Sequence, residues 1–460
     1  MTDTRKFSKL DNKLVYLPLY VVVFYVAFGL FVSITGPLEY LGYEPFMTFL
    51  YLVGSMLSLS VGYHFGTKAL YVTKKSDSVK KASEVVRRIF VACAVMAAVI
   101  TTATIVYTAA TRGLSFNIME AGNTYRDLYA DYVRNDGQYS LVFLITSFGS
   151  AFTFICTVWG IYYFSRVEKW MKFLILYCIF GALIVFTIGD GKQKQFGDLA
   201  VYVVAILAIK RASENKLTSK FVCKVVFILL ATVSILLVLL SLRYRAVGID
   251  AINLYTAIHP LIAFNEDHWI LSFFGNDIGF AVTMLSGYFG GGYYGLSLTL
   301  LEPFTWTWFA GSSYSVSVVV DQLGGPFPVE DSYPYLVGDS FGWGQSKWHT
   351  VFPWLASDLT WPGSVLFLGL VGYVYAVSWR ESIKLNNPFS VLLFSLLSVG
   401  MAFIPANNQL MHSPGGFLLL ISILFLYYTQ RGKYNYQALQ TARPRRKVRR
   451  IRDALNTAKQ

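Results

Sequence analysis

The sequence predicts an all-α polytopic membrane protein, and three observations carry that class. Of the 460 residues 55% are hydrophobic and only 14% charged, and the mean hydropathy is +0.49. Apolar runs of roughly 20 residues recur along the chain, the length that crosses a hydrocarbon core about 30 Å thick at about 1.5 Å per residue. The basic residues behind the formal charge of +13 fall in alternate loops. That alternation is the positive-inside pattern, which sets orientation and argues against a nucleic-acid surface as the reason for the charge.

The elements follow in order. Arg5, Lys6, Lys9 and Lys13 precede a first span at 14–34, too long for the apolar core of a cleavable signal, so the N-terminus is expected to be retained in the cytoplasm. A turn at 36–45 leads to a second span at 46–65 and then to an inner cluster, Lys68, Lys74, Lys75, Lys80, Lys81, Arg87 and Arg88. Spans at 89–110 and 140–164 flank an outer loop, and Arg166, Lys169 and Lys172 mark the next inner turn. A fifth span at 171–188, a short sixth at 196–209 and a seventh at 225–242 complete an N-terminal bundle over 1–242. A large outer region, 243–363, is crowded with Gly, Tyr, Phe and Trp and is longer than a connector needs, which makes it the expected place for function. Spans at 364–377, 389–404 and 414–428 occupy 364–428, with Arg380 and Lys384 in an inner loop, and a basic tail over 429–460 suits anionic lipid. About ten spans, or twelve if 273–289 and 293–308 form a hairpin around Gly290, Gly291 and Gly292, place both termini on one side. Helices lying along or dipping into the outer leaflet are the preferred reading of that segment.

Candidate chemistry is confined to the outer side. Arg243, Tyr244 and Arg245 leave a span at headgroup height, and arginine's fixed fork of donors matches phosphate oxygens; headgroup anchoring is the alternative. Lys192 and Lys194 stand against the positive-inside bias beside Gly189 and Gly191, which fits an anion site or snorkelling to headgroups. In the outer loop Tyr125, Leu128, Tyr129, Tyr132 and Val133 take one helical face and Arg126, Asp127, Asp131 and Arg134 the other, a pattern open to an interfacial helix or a lid over a cleft. Asp358, between Trp354 and Trp361 at the mouth of a span, suits a general base or a helix N-terminal carboxylate. His349 and His412 are further proton acceptors or plain hydrogen-bonding residues. Trp343, Trp348 and the other outer tryptophans fit an interfacial belt or a platform for sugar rings. Cys93, Cys156, Cys178 and Cys223 lie in apolar runs without CxxC spacing, and no carboxylate cluster has metal spacing, so a metal-independent, cofactor-free reaction is expected.

Residues 292–298 (Gly-Tyr-Tyr-Gly-Leu-Ser-Leu) with Phe304, Thr305 and Trp306, then Gly342 and Trp343, then Trp348, His349 and Thr350 through Asp358 to Gly363, resemble the large outer loop of Wzy-type O-antigen (oligosaccharide repeat-unit) polymerases. The exit at Gly191, Lys192, Gln193 and Lys194 is similar to that family's basic residues after a middle span, with Lys where Arg is frequent. The resemblance implies a GT-C-like glycosyltransferase of the bacterial inner membrane, active on its periplasmic face with N- and C-termini cytoplasmic. Its donor and acceptor would be undecaprenyl-pyrophosphate-linked glycans, with membrane lipid and a chain-length regulator protein as partners. Arg243 and Arg245, with Lys192, Lys194, Arg126 and Arg134, would then hold pyrophosphate, Asp358 or His349 would take the acceptor's proton, and Tyr244, Trp343, Trp348 and His412 would line the substrate. An O-antigen ligase-type transferase shares topology and donor, and a transporter or flippase is the rival from another class; the near absence of charge within the spans counts against the latter.

Overall fold

The computed structural model describes residues 12–69, 79–112, 124, 141–189, 192–246, 259–325, 329–344 and 347–433. These residues are mostly helical. In chain order they form α1 (Asn12–Thr35), β1 (Leu38–Tyr40), α2 (Pro45–Lys68), α3 (Val79–Arg112), α4 (Leu141–Tyr163) and α5 (Lys169–Ala182), which continues as a π-helix (Leu183–Gly189). Then come α6 (Lys194–Ser213), α7 (Ser219–Ala246), β2 (Ile262–Phe264), α8 (Trp269–Thr299), α9 (Tyr314–Gln322), α10 (Tyr333–Phe341), α11 (Val351–Lys384), α12 (Pro388–Ala402) and α13 (Pro414–Gln430). Each segment expected to span is helical. Among the described residues seven helices are long and apolar enough to cross a membrane, while α12 and α13 are apolar but shorter. The protein is therefore a polytopic helical membrane protein.

The bundle is organised by α2 and α11, which pack along most of their lengths. Small residues make this possible: a Cβ on Gly62 would fall 1.7 Å from the Gly369 carbonyl oxygen, and one on Gly372 2.2 Å from that of Leu59. Without a hydrophobic drive between helices in lipid, close backbone approach is what associates them. At one end of this seam the Arg380 guanidinium donates to the carbonyls of Gly66 (2.9 Å) and Ala69 (3.0 Å), satisfying the C-terminus of α2. Beside it the buried Glu381 carboxylate accepts from Ser390, Tyr427 and Arg431, joining α11, α12 and α13. Arg380 and Lys384 thus belong to helix rather than to an inner loop, because α11 runs on until Leu385 and these polar partners cover its end.

Two further expectations are corrected. The segment expected as two helices around Gly290, Gly291 and Gly292 is a single helix, α8, kinked at Gly275 (φ 72°) and continuous through the glycines. Glycine lowers intrinsic helicity by about 1 kcal/mol per residue relative to Ala, yet here neighbours press onto the bare backbone. A Cβ on Gly292 would lie 1.7 Å from the Pro405 carbonyl oxygen, and Tyr293 and Tyr294 on the same turn are buried, their hydroxyls donating to the carbonyls of Val26 and Leu41. The all-α class holds, and among the described residues it carries one short strand pair, β1 antiparallel with β2, Glu39 opposite Ala263. The eighth span, expected from residue 364, begins at Val351 and breaks at Thr360 (φ 66°) just before Pro362, which leaves a short, deeply buried first segment carrying Trp354 and Asp358.

Candidate functional site: a cavity at the π-helix and its neighbouring loops

A cavity of about 490 Å³ lies among α3, α4, α5, α6, α12 and α13. That is within the range of ligand pockets. Its apolar wall includes Phe186, Leu199, Leu396 and Leu419, and its polar wall carries hydroxyls of α3 and α4. Thr104 and Thr157 donate to carbonyls one turn back in their own helices, and Ser150 donates across to Gly415 of α13 at 2.9 Å. Their protons being used, these hydroxyls have only lone pairs left to offer.

The cationic end is built by an irregularity. At Leu183 the α5 helix widens into a π-helix, a form that recurs at functional sites, and the Lys192 N–H closes the last turn on the Phe186 carbonyl at 2.8 Å. The chain then starts α6 at Lys194, where free N–H groups and the positive end of the helix dipole gather. Lys192, Lys194, Gln195 and Asp198 all line the cavity. Lys194 reaches Asp198 at 2.5 Å across one turn, so part of its charge is already matched. Thr187 Oγ1, Gln193 Nε2, Gln195 Oε1 and Asp198 Oδ1 are buried without a hydrogen-bond partner among the described residues.

A loop, 403–413, joins this cavity to a second cluster. Gln409, Leu410 and Ser413 face the cavity, while the Asn408 amide donates to the Ser312 carbonyl at 2.9 Å and the His412 ring lies against Trp354 at 4.3 Å. Asp358 sits beyond Ser312, and its carboxylate is enclosed. The Thr307 hydroxyl approaches Oδ1 at 2.5 Å, the Gly311 N–H donates to Oδ1 at 3.0 Å and the Ser312 N–H to Oδ2 at 2.9 Å. It fastens a turn in which Trp308 (φ 54°) and Phe309 (φ 63°) both hold left-handed backbone. Placed so, Asp358 acts as a clasp on residues 307–312 and does not line the cavity.

His349 and the tryptophans beside it form a third cluster, around the glycine turn of α8. The Trp343 indole donates to the Trp348 carbonyl and packs edge-on against Tyr294 at 4.9 Å, and Trp348 meets Tyr288 at 4.5 Å. Trp343 is therefore core. Exposed aromatic surface lies instead at Trp306 and Trp308, stacked at 4.6 Å.

Burial pushes the His349 and His412 imidazoles down to about 4, and both stay neutral at ordinary pH. In the unfolded chain a histidine protonates near pH 6.5, so between pH 6.5 and 4 the unfolded state binds more protons and stability falls as pH drops. The contribution is complete above pH 6.5, and up to about 3 kcal/mol per histidine is lost by pH 4. Thermal unfolding of the detergent-solubilised protein is expected to shift down across this window, and His349→Gln and His412→Gln to flatten the dependence; unchanged slopes in both variants would refute the assignment.

The sequence-predicted residues distribute accordingly. Lys192 and Lys194 line the cavity, while His412 does not, its ring lying against Trp354. Asp358, His349, Trp343 and Trp348 do not line it: Asp358 braces the 307–312 turn, and the other three pack together near the glycine turn of α8. Arg243, Tyr244 and Arg245 are in the last turns of α7, which packs on α6 and α8, with their side chains outside the described part; Arg126 and Arg134 also lie outside the described residues. Sequence reasoning missed Asp198 and Gln195. The signal was present as a carboxylate four residues after Lys194, the spacing that pairs charges on a helix. Among the described residues no group of three or more His, Cys, Asp or Glu side chains is arranged to hold a metal ion. Compared with protein-family models, curated proteins and solved structures, the chain matches none.

Proposed function

We propose that this chain is a glycosyltransferase of the bacterial inner membrane that polymerises undecaprenyl-pyrophosphate-linked oligosaccharide repeat units on the periplasmic face, with both termini cytoplasmic. The observation that carries the reading is that Lys192 and Lys194, cations set against the charge bias of the loops, open onto one hydroxyl-lined cavity inside a membrane bundle. Apolar walls suit a prenyl chain, hydroxyls suit a glycan, and a cation at the rim suits pyrophosphate.

In the reaction the acceptor hydroxyl oxygen bonds to the donor's anomeric carbon as that carbon's bond to the pyrophosphate oxygen breaks. The electron pair leaves on pyrophosphate, where Lys192 meets the charge, and the departing pyrophosphate oxygen takes up the hydroxyl proton. Pyrophosphate is a good leaving group, so the protein's work is chiefly to orient two lipid-linked substrates and to compensate charge. Lys192→Ala is expected to lower polymer formation about 10- to 100-fold, the range for losing one charge-assisted contact. A glycan ladder from complemented cells reads the effect, with single-repeat product persisting. Arg243→Ala and Arg245→Ala are expected to abolish polymer in the same assay. Wild-type ladders from all three variants would remove the assignment.

A further inference from the structure

The corner of the cavity formed by the first turn of α6 has a composition that a plain anion site would not have. Asp198 is only 8% exposed. One of its oxygens takes the Lys194 ammonium at 2.5 Å, and the other, Oδ1, is buried with no hydrogen-bond partner among the described residues. Gln195 Oε1, three residues earlier on the same cavity wall, is in the same condition. Buried acceptors without donors are costly and ask for a ligand or water that supplies the missing hydrogens. On the wall of α3 and α4 the protons of Thr104, Thr157 and Ser150 are committed to carbonyls. A carboxylate at the rim of a cation site also repels a bare anion. An occupant suited to this corner brings negative charge for the lysine and hydrogen-bond donors for the acceptors, close together on one molecule.

We propose that this corner binds the hydroxyl groups of a ligand that joins a polyol to a phosphate, Asp198 Oδ1 and Gln195 Oε1 accepting hydroxyl hydrogens while the phosphate lies at Lys192. The inference rests on the reading above in taking Lys192 as the phosphate contact. Two sources share this chemistry: a sugar attached through pyrophosphate to a prenyl chain, and the glycerol headgroup of phosphatidylglycerol.

The test uses the full chain in phosphatidylcholine nanodiscs and four probes: undecaprenyl pyrophosphate, the same lipid carrying one hexose, the same lipid carrying one N-acetylhexosamine, and phosphatidylglycerol. The wild-type protein is expected to bind at least one sugar-bearing lipid about tenfold or more tightly than the bare pyrophosphate, the scale of a hydrogen bond to a charged group. Asp198→Asn should lose that margin yet bind the bare lipid as well as the wild type or better, which also shows that the variant is folded. Gln195→Ala should lose part of the margin. Equal wild-type affinity for bare and both sugar-bearing lipids, or a margin that Asp198→Asn keeps, would overturn the site. Binding of phosphatidylglycerol alone, weakened by Asp198→Asn, would keep this site and end the transferase reading. No binding of any probe would end both.

Discussion

Gly62→Leu is expected to prevent assembly of the bundle. A Cβ at this position would sit 1.7 Å from the Gly369 carbonyl oxygen, a backbone atom that no rotamer change can move. Accommodating it requires α2 and α11 to part, and these helices share the most extensive packing among the described elements. Separation would also pull Gly66 and Ala69 from the buried Arg380 guanidinium, which donates to both of their carbonyls. Overpacking of an ordinary core costs about 1–3 kcal/mol; a backbone clash along a whole helix seam exceeds that, on the scale of total stability. Expression followed by size-exclusion chromatography in mild detergent should return little monodisperse protein. Gly54→Leu is the control, because a Cβ there meets nothing within 4 Å. Equal yields from the two variants would show that the seam does not govern assembly.

Asp358→Ala is expected to lower stability by about 2–6 kcal/mol, since it strands the Gly311 and Ser312 N–H groups in a buried site, while the Thr307 hydroxyl keeps the Ser357 carbonyl at 2.8 Å. Released from its clasp, the left-handed turn at Trp308 and Phe309 should relax and become open to proteolysis. Asp358→Asn is expected to fall between Asp358→Ala and the wild type, because its one amide oxygen can keep the Thr307 and Gly311 contacts while its NH2 group faces the Ser312 N–H, donor against donor. The readouts are the melting temperature in detergent and limited proteolysis of the 301–313 segment. A general base would behave differently: its loss leaves melting and protease resistance at wild-type values and removes turnover alone. That outcome would return Asp358 to the chemistry.

Some of this site was legible in the sequence and some was not. Lys192 and Lys194 stood out because they oppose the charge bias of neighbouring loops, a property that counting along the chain reveals, and both line the cavity. Asp358 stood out by its place between two tryptophans, but its environment depends on a turn some 50 residues away. Likewise the glycine triplet at 290–292 reads locally as a break. It is helical because Pro405 and Tyr40, distant in sequence, press against it. The Gly62 and Gly66 pair carries, within the sequence itself, the small-residue spacing that marks close helix packing.

By itself the sequence determined that this is a helical membrane protein and where its apolar helices run, because hydropathy and length act residue by residue against the bilayer. Only the tertiary structure decided which polar groups share a hollow and which brace a loop. In a bundle whose surface is uniformly apolar, hydropathy does not select helix neighbours; small residues and scattered hydrogen bonds do, and those pairings join residues hundreds of positions apart.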